Sequence, residues 1–123
     1  MHKDQLLILS DVNELISYFN SLPNNIYIYF TLNKVKKTDK ILYAIADIFT
    51  NGDYVKIETQ NERINYSPHS KEEILEKLEE QISILGNDCL FQVQVGEELF
   101  CVLNIINSSV TIGSEDRFII EIA

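Results

Sequence analysis

His2, His69, Cys89 and Cys101 are the residues of this chain best suited by type to nucleophilic or metal chemistry. Their spacing argues against both. A zinc site draws on three or four His, Cys or acidic ligands, usually with two of them close in sequence. His2 stands at a terminus and His69 just ahead of a helix, and neither has a Cys, Asp or Glu at ligand spacing. A Cys–His nucleophile pair would have to be assembled from distant positions. Both cysteines lie in strand-like runs and read as buried, reduced thiols.

Glu97-Glu98 and Glu115-Asp116 are adjacent carboxylates, the raw material of general acid–base pairs, but both fall in turns where water solvates them. Gly52, Gly86, Gly96 and Gly113 are isolated, so no glycine-rich phosphate loop is present. Lys34, Lys36, Lys37 and Lys40 cluster without interleaved aromatic residues and read as a solvated loop. The expectation is a protein with no catalytic residue, no metal site and no cofactor, and a small-molecule ligand is disfavoured.

The elements that would position any site are legible from periodicity. Ser70 and Glu73 have capping-box spacing, so a helix starts at Lys71 and runs to Leu85, with Gly86 as its stop. Ile74, Leu75, Leu78, Ile82 and Leu85 share one helical arc, while Glu72, Glu76, Glu79 and Glu80 line the opposite side with Glu73 at its flank. Asp11 and Glu14 repeat the capping spacing ahead of a smaller helix carrying Val12, Leu15, Ile16, Phe19 and Leu22 on one stripe. A short strand, Leu6 to Leu9, precedes it.

From Ile26 the period changes to two. Ile26, Ile28, Phe30 and Leu32 point one way and Tyr27 and Tyr29 the other. Ile41 to Phe49 and Tyr54 to Gln60 flank Asn51-Gly52, the pair most favourable for a two-residue type I′ hairpin. That turn pairs Phe49 with Tyr54, Ile48 with Val55, Asp47 with Lys56 and Ala46 with Ile57. It places Tyr43, Phe49 and Tyr54 on the outer face, with an Asp47–Lys56 ion pair. Arg63 to Tyr66 adds a short strand. Leu90 to Val95 and Leu99 to Ile106 flank Gly96-Glu97, pairing Val93 with Phe100 and Phe91 with Val102. Asn107-Ser108 reads as a turn before strands around Val110 to Ile112 and Phe118 to Ile122. The order β-α-β-β-β-α-β-β-β predicts an α+β fold, one domain over residues 1–123, with a largely antiparallel sheet and two amphipathic helices.

With 46% hydrophobic and 24% charged residues, the composition is that of an ordered globular domain. Nineteen acidic against ten basic residues give a net charge of −9. That balance opposes direct binding to nucleic acid or an anionic membrane and favours a basic protein partner. The apolar run Leu6 to Leu9 is too short for a signal peptide and no run reaches membrane-spanning length, so a cytoplasmic location is expected. Tyrosine offers a large rigid contact with a polar end. Tyr27, Tyr29, Tyr43 and Tyr54 therefore join Glu72, Glu76, Glu79 and Glu80 as candidate partner-binding residues.

In size, acidity, α+β layout and the Tyr66 to Leu78 passage from strand to helix, the chain resembles small cytoplasmic immunity proteins of bacterial toxin systems, including contact-dependent growth inhibition and related polymorphic toxins. The resemblance implies a non-enzymatic inhibitor that occludes the active site of a basic, nuclease-like toxin domain. Two other readings fit the composition: a phage-type acidic mimic of nucleic acid, and a small enzyme or ligand-binding domain with a cavity between helix and sheet.

Overall fold

The computed structural model describes residues 7–33, 40–64 and 68–123. Its elements are β1 (Leu7–Leu9), α1 (Val12–Asn20), β2 (Tyr27–Leu32), β3 (Tyr43–Asn51), β4 (Tyr54–Asn61), α2 (Lys71–Leu85), β5 (Leu90–Val95), β6 (Glu98–Phe100), β7 (Leu103–Thr111) and β8 (Arg117–Ile122). This is the expected α+β class with two helices and a mostly antiparallel sheet. The strands form one sheet in the order β1-β7-β8-β2-β3-β4-β5-β6. Two neighbouring pairs, β2 with β8 and β4 with β5, run parallel. The second of these has α2 as its crossover, as a parallel pair requires.

The helix ends follow the sequence. Ser70 Oγ accepts the Glu73 N–H at 3.3 Å while Glu73 Oε1 accepts the Ser70 N–H at 3.0 Å. Gly86 ends α2 at φ 101°, a conformation that costs glycine nothing. At α1, Asp11 Oδ1 accepts the Glu14 N–H at 2.8 Å, and Glu14 Oε1 accepts the N–H of Ser10 at 2.6 Å. Each cap satisfies donors that the first helical turn leaves unpaired.

The strand order forces the sheet to roll. Only Cys101 and Val102 join β6 to β7, so Phe100 and Leu103 lie within about 11 Å. In a flat sheet β6 and β7 would be six strand spacings apart, about 29 Å. The two margins must therefore approach each other, and the hydrogen bond from Val12 N to Cys89 O at 3.0 Å ties the start of α1 to the start of β5. The inner face of the roll holds the core. Ile28 and Phe30, Ile45 and Ile48, Val55 and Ile57, Phe91, Val93 and Val95, and Phe118, Ile120 and Ile122 are all buried there. Val12, Leu15 and Phe19 of α1 and Ile74, Leu75 and Leu78 of α2 close it. Ile82 and Leu85 pack at its margin.

Three sequence expectations change. The hairpin turn is Gly52-Asp53, not Asn51-Gly52: Asn51 pairs with Tyr54, and Gly52 alone takes positive φ, 63°. A glycine in the first turn position serves a type II′ geometry, whereas type I′ needs positive φ at both positions. Asp47 consequently faces Glu58, not Lys56, and Phe49 faces Lys56. A bulge between Ile45 and Asp47 then adds one residue and reverses the facing of everything before it. Tyr43 therefore shares the core side with Ile45, opposite to Phe49 and Tyr54. Finally, the run read as Leu99 to Ile106 breaks at Cys101-Val102, and Asn107-Ser108 lies inside β7, where Asn107 pairs with Glu121 and Ser108 with Ile120. Val93 does pair with Phe100, but Val102 has left the ladder and is exposed. Arg63 and Ile64 form a turn, while Asn65 and Tyr66, like the lysines at 34, 36 and 37, lie outside the described residues.

Strand β2 is central and buried on both faces. On its outer face Thr31 is fully buried and its hydroxyl has no hydrogen-bond partner among the described residues. An unpaired buried hydroxyl costs about 1–3 kcal/mol. Thr31→Val is expected to raise stability by about 1 kcal/mol, read as a higher denaturation midpoint at unchanged m-value. A drop in stability would show that the hydroxyl is bound.

Candidate functional site: the acidic face of α2

Helix α2 lies on the inner, apolar side of the sheet and turns its other side to solvent. Glu72, Glu73, Glu76, Glu79 and Glu80 are all exposed. At 100° per residue they occupy an arc of about 120°, and Glu72 to Glu80 span about 12 Å along the axis. Glu72, Glu73, Glu76 and Glu79 line a shallow groove that the largely buried Leu75 also borders. Exposed Ile84 stands near the C-terminal end of the strip, and the last turn carries no basic residue.

These carboxylates are not equivalent. Glu73 completes the cap and faces His69 Nδ1 at 3.6 Å. Its carboxyl is held below the usual range, first by the Ser70 N–H bond and then by His69. Glu72 accepts the Asn25 N–H with both oxygens, at 3.0 and 3.2 Å, and so fastens α2 to the turn before β2. Glu76, Glu79 and Glu80 make no such bond among the described residues. Glu76 stands one turn from Glu72 and from Glu80, and three residues from Glu73 and Glu79. Like charges at these spacings destabilise a helix by about 0.2–0.5 kcal/mol per pair. Glu72 and Glu73 thus anchor the start of α2, while the repulsion centred on Glu76 works against it.

The four tyrosines do not join it. Tyr27, Tyr29 and Tyr54 lie on the outer face, and Tyr43 projects to the core side, where its ring reaches the turn at Gly96. Tyr29 is fully buried and so is unavailable to a partner. Its hydroxyl donates to Glu115 Oε2 at 2.9 Å, and the Arg117 guanidinium lies 4.9 Å from its ring centroid. Arg117 also pairs with Glu115 at 3.1 Å and Glu62 at 3.3 Å. The outward alternation of β2 was correct, but these side chains roof the ring. Tyr27 and Tyr54 remain half-buried on separate strands.

Two features were not anticipated from sequence. Lys71 is buried in the first turn of α2, its Nζ donating to Leu22 O at 2.7 Å, Asn24 Oδ1 at 3.1 Å and Asn20 O at 3.4 Å. It binds the start of α2 to the end of α1. The signal was present: at 100° per residue Lys71 falls in the middle of the apolar arc, between Leu78 and Ile82. The Tyr29–Glu115–Arg117–Glu62 cluster had no such signal, because Glu62 lies beyond β4 and reaches Arg117 only through the rolled sheet.

The other chemical candidates stay apart. Cys89 is buried, and that burial pushes its thiol up, away from the thiolate a nucleophile needs. Cys101 is exposed at the link between β6 and β7. Among the described residues no cluster of His, Cys, Asp and Glu is placed to hold a metal ion, and no helix is long and apolar enough to cross a membrane. Comparison with protein-family models, with curated proteins and with solved structures finds no match.

Proposed function

We propose that this protein is a non-enzymatic inhibitor that binds a basic protein through the acidic face of α2, in the manner of a cytoplasmic immunity protein occluding a nuclease-like toxin domain. The observation that carries the reading is the exposed glutamate arc from Glu72 to Glu80, whose self-repulsion a cationic partner would relieve. Lysines and arginines that normally contact phosphate would pair with Glu76, Glu79 and Glu80, and the field of a chain carrying −9 would speed their encounter. Ile84 adds apolar contact at the end of the strip. Tyr27 and Tyr54 face away from α2 and lie outside the proposed docking surface.

The test is co-expression with the product of the neighbouring reading frame. Growth rescue and co-purification of a one-to-one complex are the expected results, with association weakening as salt rises. Failure of both, with folded protein present, removes this reading.

A further inference from the structure

We infer that a cleft at one end of the rolled sheet binds an uncharged sugar ring, at a site built from none of the residues of α2. Three segments meet there: the start of β3 at Tyr43, the end of β4 at Thr59, Gln60 and Asn61, and the turn between β5 and β6 at Gly96-Glu97. Together with Ile64 they border a cleft of about 540 Å³. That size falls within the roughly 300–1,000 Å³ of small-molecule sites, which recur at the mouths of β-barrels.

The walls are set before any ligand arrives. Tyr43 pairs with Asn61, and Ile45 with Thr59, across β3 and β4. Thr59 Oγ1 donates to Gln94 O at 2.6 Å and so joins the end of β4 to β5. Past the strand, Asn61 Oδ1 accepts the Arg63 N–H at 2.9 Å, and Asn61 O accepts the Ile64 N–H at 3.0 Å. Gly96 takes φ 62°, and a Cβ added there would stand 3.0 Å from the Tyr43 hydroxyl, so the glycine is what lets Tyr43 reach the turn. Groups held in this way lose little freedom when a ligand binds.

The hydrogen-bonding groups left over select the ligand. Tyr43 is half-buried, yet its hydroxyl has no hydrogen-bond partner among the described residues, and neither has the Gln60 amide or the Glu97 carboxylate. Asn61 keeps its Nδ2 donors, because only its oxygen is engaged, and Thr59, having given up its proton, keeps acceptor capacity. Beside them lie two apolar surfaces, the Tyr43 ring and Ile64, which is 81% exposed. A sugar ring presents the complement: hydroxyls that each donate and accept, set around an apolar face of C–H groups. The two oxygens of Glu97 match a pair of neighbouring hydroxyls. No basic side chain among the described residues lines the cleft and the chain carries −9, so phosphate and carboxylate ligands are disfavoured. A single carboxylate open to water holds a cation only weakly, and the other polar groups of the cleft are neutral.

The test is an amide NMR titration of the full chain with methyl glucoside, methyl galactoside, N-acetylglucosamine and maltose, with inorganic phosphate as the anionic control. The expected result is saturable shifts at Tyr43, Thr59 to Ile64 and Val95 to Glu98 for at least one sugar, and none there for phosphate. Tyr43→Phe removes a hydroxyl that bonds nothing among the described residues, so it weakens sugar binding by roughly three- to tenfold while thermal unfolding stays unchanged. Asn61→Asp keeps the oxygen that Arg63 uses and removes the amide donors, with a similar loss. A merely structural role for these residues moves stability and leaves affinity alone. Should Asn61→Asp misfold, Ile64→Ala, at an exposed position, takes its place. The proposal is overturned by the absence of saturable shifts with every sugar, by shifts confined to other residues, by phosphate binding at the same residues, or by affinity unchanged in the variants. The same variants leave docking through α2 intact, so the sugar site and the inhibitor reading stand or fall separately.

Discussion

Exchanging both Glu76 and Glu79 for lysine is expected to slow association with the basic partner by roughly ten- to a hundredfold at low salt, and to make the protein more stable. Binding falls because the change replaces two negative charges at the centre of the strip with two positive ones, a shift of +4. What remains is Glu72, tied to Asn25, Glu73, tied to the cap, and Glu80 alone. Stability rises because repulsion between Glu76 and each of Glu72, Glu73 and Glu80 becomes attraction. With about 0.2–0.5 kcal/mol of repulsion lost and a similar attraction gained at each of the three pairs, the gain is about 1–3 kcal/mol. A structural role for these glutamates predicts the opposite, with binding and stability lost together. Stopped-flow association at several salt concentrations and thermal unfolding of the same variant decide between them, and an unchanged rate and salt slope would exclude this face from docking.

Replacing Lys71 with methionine should give the largest loss of stability of any helix substitution considered, about 3 kcal/mol, or a fall in melting temperature of roughly 10 °C. Methionine fills much the same volume, so packing is conserved and the change isolates the ammonium group. Without it Leu22 O, Asn24 Oδ1 and Asn20 O lose their shared donor, two of them at or just past the C-terminal end of α1, where carbonyls have no helical partner. The cationic group also complements the negative end of the α1 dipole, which has no basic residue of its own in its last turn. Chemical denaturation measures the loss. A change below about 0.5 kcal/mol would mean that water replaces the ammonium group without cost.

Local chemistry made the helices legible. Ser70 with Glu73, Asp11 with Glu14, and Gly86 each act within one turn of their own backbone, so nothing distant can overrule them. The acidic face was equally readable, because a period of 3.6 places Glu72, Glu76, Glu79 and Glu80 together whatever α2 packs against. Strand alternation also held where the ladder was regular, as at β2 and β5.

The tertiary structure decided what periodicity cannot. Alternation tells which side of a strand a residue takes, but not what lies above it, and Arg117 and Glu115 turned outward-facing Tyr29 into a buried residue. A single bulged residue at Ala46 moved Tyr43 to the other side of the sheet, because a period of two has no memory across an insertion. Leu99 to Ile106 looked continuous because strand propensity is local, whereas the break at Cys101-Val102 arises from rolling the sheet until its margins meet. The sequence by itself determined the two helices, their caps and the charge they present. Strand order, the buried Lys71 tie and the Tyr29–Glu115–Arg117–Glu62 cluster required the whole chain to close on one core, since each depends on contacts between residues tens of positions apart.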